Sequence, residues 1–190
     1  MTPKELLDIL AVGARLKENT RHCYVTPDRK ESVADHSWRL GLFAMLLADE
    51  PEFAGLDMNK VTQMCLIHDL GEAFTGDIPA FEKTASQADT EDDILFAWVG
   101  RFPEPQRTRW LELLREMQAL QTPEARVYKA LDKLEALISH NESELSTWLP
   151  LEYDLQLTYG RENMKANPYF GPLREAVDEW TLQKIGKQEP

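Results

Sequence analysis

Cys65-Leu66-Ile67-His68-Asp69-Leu70-Gly71-Glu72-Ala73-Phe74-Thr75-Gly76-Asp77 places one histidine and three carboxylates within ten residues, at the end of an apolar run. His68 and Glu72 are four apart, a spacing that puts two side chains on one face of a helix. Asp69 follows His68 directly, and Asp77 lies just past a glycine-bearing turn. An imidazole beside several carboxylates can hold a divalent cation, and a further acid one turn away can move protons. Two other places offer the same chemistry, Asp35-His36 upstream and Asp132 downstream. Taken singly each is ordinary. A histidine on an apolar face is more often a satisfied core residue, and Asp132 sits between Lys129 and Lys133, as a surface acid would. Two inward histidines on consecutive helices, one followed by Asp and Glu, make coincidence a poor account of the set.

Elements must bring these residues together. Residues 4–18 read as an amphipathic helix with Leu6, Leu7, Leu10 and Ala14 on one side. Residues 19–30 lose periodicity and read as a loop turning at Pro27-Asp28. Ser32 is an N-cap for a helix over 33–49, whose stripe Val33, Leu40, Phe43 and Leu47 includes His36. Asp57 or Asn59 caps a third helix running to about Glu72, with Val61, Met64, Cys65 and His68 inward. A loop covers 73–88. Helices are expected at about 90–101, 105–119, 123–147, 151–165 and 172–186, with Thr122-Pro123 as a start signal for the one carrying Asp132. No segment shows a strand's alternation, so the fold class is all-α.

The chain has 190 residues, 43% hydrophobic and 28% charged, an ordinary globular balance that fits one domain over 1–190. A domain this size buries roughly 70% of its unfolded surface without disulfides. Cys23 and Cys65 are the two cysteines. Their number, and an N-terminus without a basic region and apolar core, lead us to expect a cytoplasmic protein. No apolar run approaches membrane-spanning length. A net charge of −12 argues against a nucleic-acid polymer as partner. The charge is uneven. Residues 1–40 carry seven Lys/Arg against six acids, net +1, leaving −13 for the rest. A small phosphate could therefore bind near residues 15–30. Trp98, Trp110, Trp148 and Trp180 suggest apolar surface in the second half, compatible with a homodimer.

Arg29-Lys30-Glu31-Ser32-Val33-Ala34-Asp35-His36-Ser37-Trp38-Arg39, His68-Asp69-Leu70-Gly71-Glu72, Thr75-Gly76-Asp77-Ile78-Pro79 and Leu131-Asp132-Lys133-Leu134-Glu135 resemble the HD-domain phosphohydrolases. Within them they are most similar to the HD-domain 5′-deoxynucleotidases, over about residues 6–165. The resemblance implies one divalent transition cation (Mn, Co, Fe, Ni or Zn) held by His36, His68, Asp69 and Asp132. It implies phosphate binding by Arg21, fifteen positions before His36, proton transfer by Glu72 and sugar contact by Asp77. Ile78, Pro79 and Ala80 complete the substrate contacts, together with His22. Some members carry Trp where His22 stands, so a weaker deoxy-over-ribo preference is expected here. From Ala73 to Leu131 there is no histidine, which favours one metal over two, and His140 is too far along its helix to share Asp132's cation easily. The implied substrate is a nucleoside 5′-monophosphate. The alternatives are a phosphodiesterase, a triphosphate hydrolase, which the few basic residues after position 40 disfavour, or a non-catalytic metal- or nucleotide-binding module.

Overall fold

The computed structural model describes residues 1–186, with nine α-helices and one two-stranded hairpin among them. The class is all-α, as expected. The helices are α1 (Pro3–Gly13), α2 (Val33–Leu47), α3 (Met58–Ile67), α4 (Glu72–Thr75), α5 (Ala85–Val99), α6 (Gln106–Ala119), α7 (Pro123–Glu142), α8 (Pro150–Thr158) and α9 (Phe170–Gly186).

The start signals act as the sequence suggests. Ser32 Oγ accepts from the Asp35 amide (3.1 Å), and the Asp35 carboxylate accepts from the Ser32 amide (2.9 Å). Two of the orphan donors at the start of α2 are thereby satisfied. Asp57 caps α3 by accepting from the Lys60 amide (3.0 Å), and Thr122 caps α7 ahead of Pro123. Helix α7 is the central element. It packs against α2, α3, α6 and α9, and twelve of its twenty residues are buried. Leu40, Val61, Met64, Leu131 and Leu134 form the fully buried centre where α2, α3 and α7 meet. Removing such a leucine to alanine would cost about 2–5 kcal/mol.

Four expectations need correction. First, residues 19–30 are not a loop. Strand β1 (Thr20–Thr26) pairs antiparallel with β2 (Arg29–Ser32), Thr20 opposite Ser32 and Tyr24 opposite Lys30. Thr, Cys, Tyr and Val favour a pleated surface, but register shifts between the paired positions break the period of two that would have revealed it.

Second, α3 ends at Ile67, and His68 and Glu72 do not share a helix. The His68 Nδ1–H donates to the Cys65 carbonyl (2.9 Å), the acceptor the next helical amide would have used. Tight i→i+3 bonds follow: Leu70 to Ile67, Glu72 to Asp69 and Phe74 to Gly71. Third, α7 stops at Glu142 and α8 at Thr158, short of the expected 147 and 165, while α5 begins at Ala85.

Fourth, of the four tryptophans only Trp180, 40% exposed, adds to the expected apolar surface, and more of that surface lies on other helices. Trp148 is buried, and Trp98 and Trp110 pack against the core. Helix α1 buries no residue, and Leu7 is 65% exposed. Trp38 on α2 is also 65% exposed, beside exposed Met45 and Leu46 of the same helix. No helix among the described residues is long and apolar enough to cross a membrane.

Candidate metal centre and its cavity

His36, His68 and Asp69 bring one donor atom each within 4.8 Å of one another, and Asp132 Oδ1 lies beside both histidines. α2 supplies His36, the turn that follows α3 supplies His68 and Asp69, and α7 supplies Asp132. His36 Nε2 lies 3.2 Å from His68 Nε2, 3.8 Å from Asp69 Oδ2 and 3.5 Å from Asp132 Oδ1. His68 Nε2 lies 3.0 Å from Asp69 Oδ2 and 3.6 Å from Asp132 Oδ1. Asp35, next to His36, is elsewhere, occupied by the α2 cap and by Arg29 (2.7 Å).

Whether these donors suit a cation follows from their protons. The His36 Nδ1–H donates to the Glu135 carboxylate, and the His68 Nδ1–H to the Cys65 carbonyl. In the neutral rings both Nε2 atoms are therefore lone pairs facing each other and two carboxylates. Four lone pairs at 3.0–3.8 Å repel unless a positive charge lies among them. The electrostatics agree. Burial would lower the His68 pKa, but the Asp69 carboxylate outweighs it and pushes the ring up to about 10. Burial would raise Asp132, but Lys129 and Lys133 hold it well below the usual carboxylate range. Two imidazole nitrogens and two carboxylates from three elements suit a borderline divalent ion.

Behind the ligands lies a second, fully buried layer that sequence reasoning missed. Glu135 orients His36 and accepts from Arg39 Nε (2.6 Å). Glu31 accepts from Ser139 Oγ (2.8 Å) and faces Arg21 Nε at 3.4 Å. Glu31 and Glu135 also flank His36 closely enough to resemble a second cation group. Arg21 and Arg39 already supply the positive charge there, and His36 Nδ1 is committed, so this layer is support for the first. A carboxylate behind a ligating histidine typically changes metal affinity by about 10–100-fold. Glu135→Gln is therefore expected to weaken metal retention by about that factor, read by competition against a chelator. Unchanged retention would show that Glu135 does not orient His36. The available signal was Glu135's place one turn after Asp132 in the same motif.

His68, Asp69 and Asp132 open onto a cavity of about 470 Å³. Arg21, His22, Asp77, Ile78, Pro79 and Ala80 all line it, as does Glu72. Arg21 Nη1 is buried without a hydrogen-bond partner among the described residues. Glu72 is 4% exposed, and its Oε2 is likewise unpartnered. Burial, then the charges of Asp69, Asp77 and Glu91, raise its pKa to about 10, with Lys83 opposing. Lys83 Nζ is 2.7 Å from Glu91 and 3.9 Å from Glu72. Gly71 permits this arrangement. A Cβ there would lie 2.6 Å from Glu91 Cγ and 3.2 Å from the Glu91 carbonyl oxygen.

The expected shortage of cations after residue 40 does not describe the cavity, because Lys83, Lys129 and Lys133 all reach it. Each is engaged, however: Lys83 by Glu91, Lys129 by Asp132 (2.9 Å), and Lys133 by Tyr159 Oη (2.7 Å) and Asp132 (3.4 Å). His140 holds no place at the ligand cluster. It stacks on Trp148 with centroids 4.3 Å apart.

An HD-domain family model matches residues 13–171. The chain belongs to the HD-domain family. It is similar to human 5′-deoxynucleotidase HDDC2, 28% identical over 74% of this chain and 69% of that protein. It is 27% identical to the Schizosaccharomyces pombe 5′-deoxynucleotidase hdd1, over 69% and 68% of the two chains. Among solved structures, a "predicted metal-dependent phosphohydrolase" from Magnetospirillum magnetotacticum MS-1 superposes with a TM-score of 0.78 at 26% identity, covering 95% of this HD domain chain and 93% of that one. The PH0347 protein of Pyrococcus horikoshii OT3 gives a TM-score of 0.70 at 26% identity, over 92% and 99%.

Proposed function

We propose that this HD-domain protein is a metal-dependent phosphomonoesterase that hydrolyses nucleoside 5′-monophosphates to nucleoside and phosphate. The observation that carries the reading is the convergence of His68, Asp69 and Asp132, with buried His36 beside them, on the wall of a nucleotide-sized cavity. An arginine and a protonated carboxyl stand beside it. The names of the curated relatives support it.

The four residues would hold one divalent transition cation, which would supply Lewis-acid charge and acidify water. The remaining work belongs to the polypeptide. Arg21 lines the cavity, held from behind by Glu31 and by Glu135, 4.0 Å from its Nη1, and its guanidinium can meet phosphoryl oxygens with a planar fork Lys cannot imitate. Glu72 is buried beside these residues, where burial and the neighbouring carboxylates favour its protonated form. It can give that proton to the departing 5′-oxygen as the P–O bond breaks, and recover one from the attacking water. Asp77 accepts from a sugar hydroxyl, and Ile78-Pro79-Ala80 form the adjoining wall. Phosphoryl transfer needs mainly such positioning and charge.

The lysines bear on the runner-up. A triphosphate needs free cations along its length, and Lys83, Lys129 and Lys133 are each already neutralised by an acid or bound to a hydroxyl. A single phosphate fits better. Phosphate release from AMP, dAMP, ATP and a bis-aryl phosphodiester, with Mn or Co added, tests this. Turnover is expected with the monophosphates. Comparable release from ATP or the diester would replace this reading with the broader one. Arg21→Lys should raise KM for the monophosphate about tenfold or more, as expected from loss of a bidentate contact; an unchanged KM would remove Arg21 from the phosphate site.

A further inference from the structure

One residue of the layer behind the ligands has no task in the chemistry above. Arg39, on α2 one turn after His36, does not line the cavity, yet it is tied on two sides. Its Nε and Nη2 both lie 2.6 Å from Glu135 Oε1, and its Nη1 donates to the half-exposed Glu142 carboxylate. Its Nη2 is also 3.8 Å from Glu31 Oε1. Arg39, Glu135, Arg21 and Glu31 thus form a closed ring of alternating charge, drawn from α2, α7 and both strands.

The two arginines of the ring are not held alike. Glu135 gives Oε1 to Arg39 and Oε2 to the His36 Nδ1–H. Arg21 Nη1 stays 4.0 Å from Oε2, beyond hydrogen-bond distance, and has no other partner among the described residues. Its Nε lies 3.4 Å from Glu31 Oε2, which likewise has no hydrogen-bond partner among them, so the contact is an ion pair alone. Arg21 is therefore flanked by two carboxylates and clamped to neither. Buried donors are seldom left in that state, and this one belongs to the arginine on the cavity wall. With Arg39 withdrawn, Glu135 Oε1 has no donor, and Arg21 is the remaining arginine within 4.0 Å. Closing that gap to a charged hydrogen bond draws Nη1 about 1 Å into the interior. A phosphate would then compete with a buried carboxylate for the same N–H groups.

We propose that Arg39 is a positioning residue for phosphate binding: by occupying Glu135 it keeps that carboxylate from capturing Arg21, whose guanidinium stays available at the cavity wall. The proposal rests on the monophosphatase reading for what Arg21 binds. Capture differs from the two plainer roles Arg39 could have, a distant positive charge and a packing residue. An amide at position 135 does not attract a guanidinium, so capture vanishes when Glu135 is neutral, whereas a field or packing effect persists.

The test measures the dAMP dissociation constant by calorimetry at saturating Mn, using full-length Glu72→Gln protein to suppress turnover. KM and kcat are taken on protein retaining Glu72. Arg39→Met is expected to weaken dAMP binding and raise KM about tenfold, the scale of a charged hydrogen bond, with kcat unchanged. Mn retention should stay at the parental level, because His36 keeps its bond to Glu135. Both Arg39 contacts to Glu135 fall on one oxygen, so the single ammonium of Arg39→Lys should restore most of the affinity. In a Glu135→Gln background, Arg39→Met should shift the dAMP constant by less than about twofold. Should Arg39→Met fail to fold, Glu142→Gln loosens Arg39 from the surface, with an expected loss of about threefold, the scale of an exposed ion pair. A dAMP constant unchanged in the folded variants overturns the proposal, as does a loss that persists beside Glu135→Gln. The expected constants without phosphate release by the protein retaining Glu72 would overturn the monophosphatase reading and leave the role of Arg39 standing. If dAMP does not bind the parent, both are overturned.

Discussion

Asp132→Ala is expected to abolish metal retention and phosphate release together, with turnover down at least about a thousandfold, more than loss of an outer-layer residue costs. The loss should exceed that from one missing ligand. Lys129 Nζ is 2.9 Å and Lys133 Nζ 3.4 Å from Asp132 Oδ2, and both lie at the edge of the ligand cluster. Without the carboxylate they become unbalanced positive charges beside a site that must accept a cation. His68→Ala removes a neutral donor and leaves those ion pairs intact, so it should be the milder lesion for metal binding. Metal content after dialysis, by mass spectrometry, and phosphate release from a nucleoside monophosphate read both effects. Full activity in metal-free Asp132→Ala protein would remove the metal from the mechanism.

Glu72→Gln should separate binding from chemistry. The ligands are untouched, so metal stays. Turnover should fall about 10²–10⁴-fold, the usual contribution of a positioned acid or base. Unchanged turnover would end Glu72's proton role. A second effect concerns stability. Glu72 titrates near 4.5 in the unfolded chain and near 10 in the folded, metal-free protein. The unfolded state therefore releases a proton that the folded state keeps, and this group lowers stability progressively as pH rises from 4.5 toward 10. At pH 7 the penalty is at most about 3.5 kcal/mol, at about 1.4 kcal/mol per pH unit. The glutamine carries no such penalty. Chelator-treated Glu72→Gln should therefore melt higher than the parent, with the gap widening from pH 5 to pH 9. A gap that does not change with pH would show that Glu72 ionises normally in the fold.

The parts of this molecule that could be read in advance are those encoded locally. Ser32, Asp57 and Thr122-Pro123 cap the helices they were expected to start, because a cap is decided by residues within one turn. His36 and His68 could be recognised as inward because their neighbours repeat with the helical period. What escaped reading depends on partners far away in the chain. Glu135 meets His36 across 99 positions, and His22 meets Glu152 across 130. Lys129 and Lys133 looked like surface charges because nothing nearby shows that α7 turns them into the cavity. The hairpin escaped because its register shifts erase the alternation on which strand reading depends. The break after Ile67 escaped for another reason. A side chain, His68, takes the carbonyl that the backbone would have used, and helical periodicity carries no trace of that competition.

The absent Cβ at Gly71 makes positions 71 and 91 epistatic. A methyl at 71 would meet Glu91 at 2.6 Å, so a library that varies residue 71 alone should return glycine almost exclusively. Varied together, an alanine at 71 loses its 2.6 Å clash only where residue 91 has no Cγ, and it still meets the residue-91 carbonyl oxygen at 3.2 Å. That escape releases Lys83 from its 2.7 Å partner and frees its ammonium to approach Glu72. Adaptive variants of this kind would keep the fold and every ligand while moving the pH at which the enzyme works best. Pairwise covariation of 71 with 91 is therefore where a shifted pH optimum should first be selected.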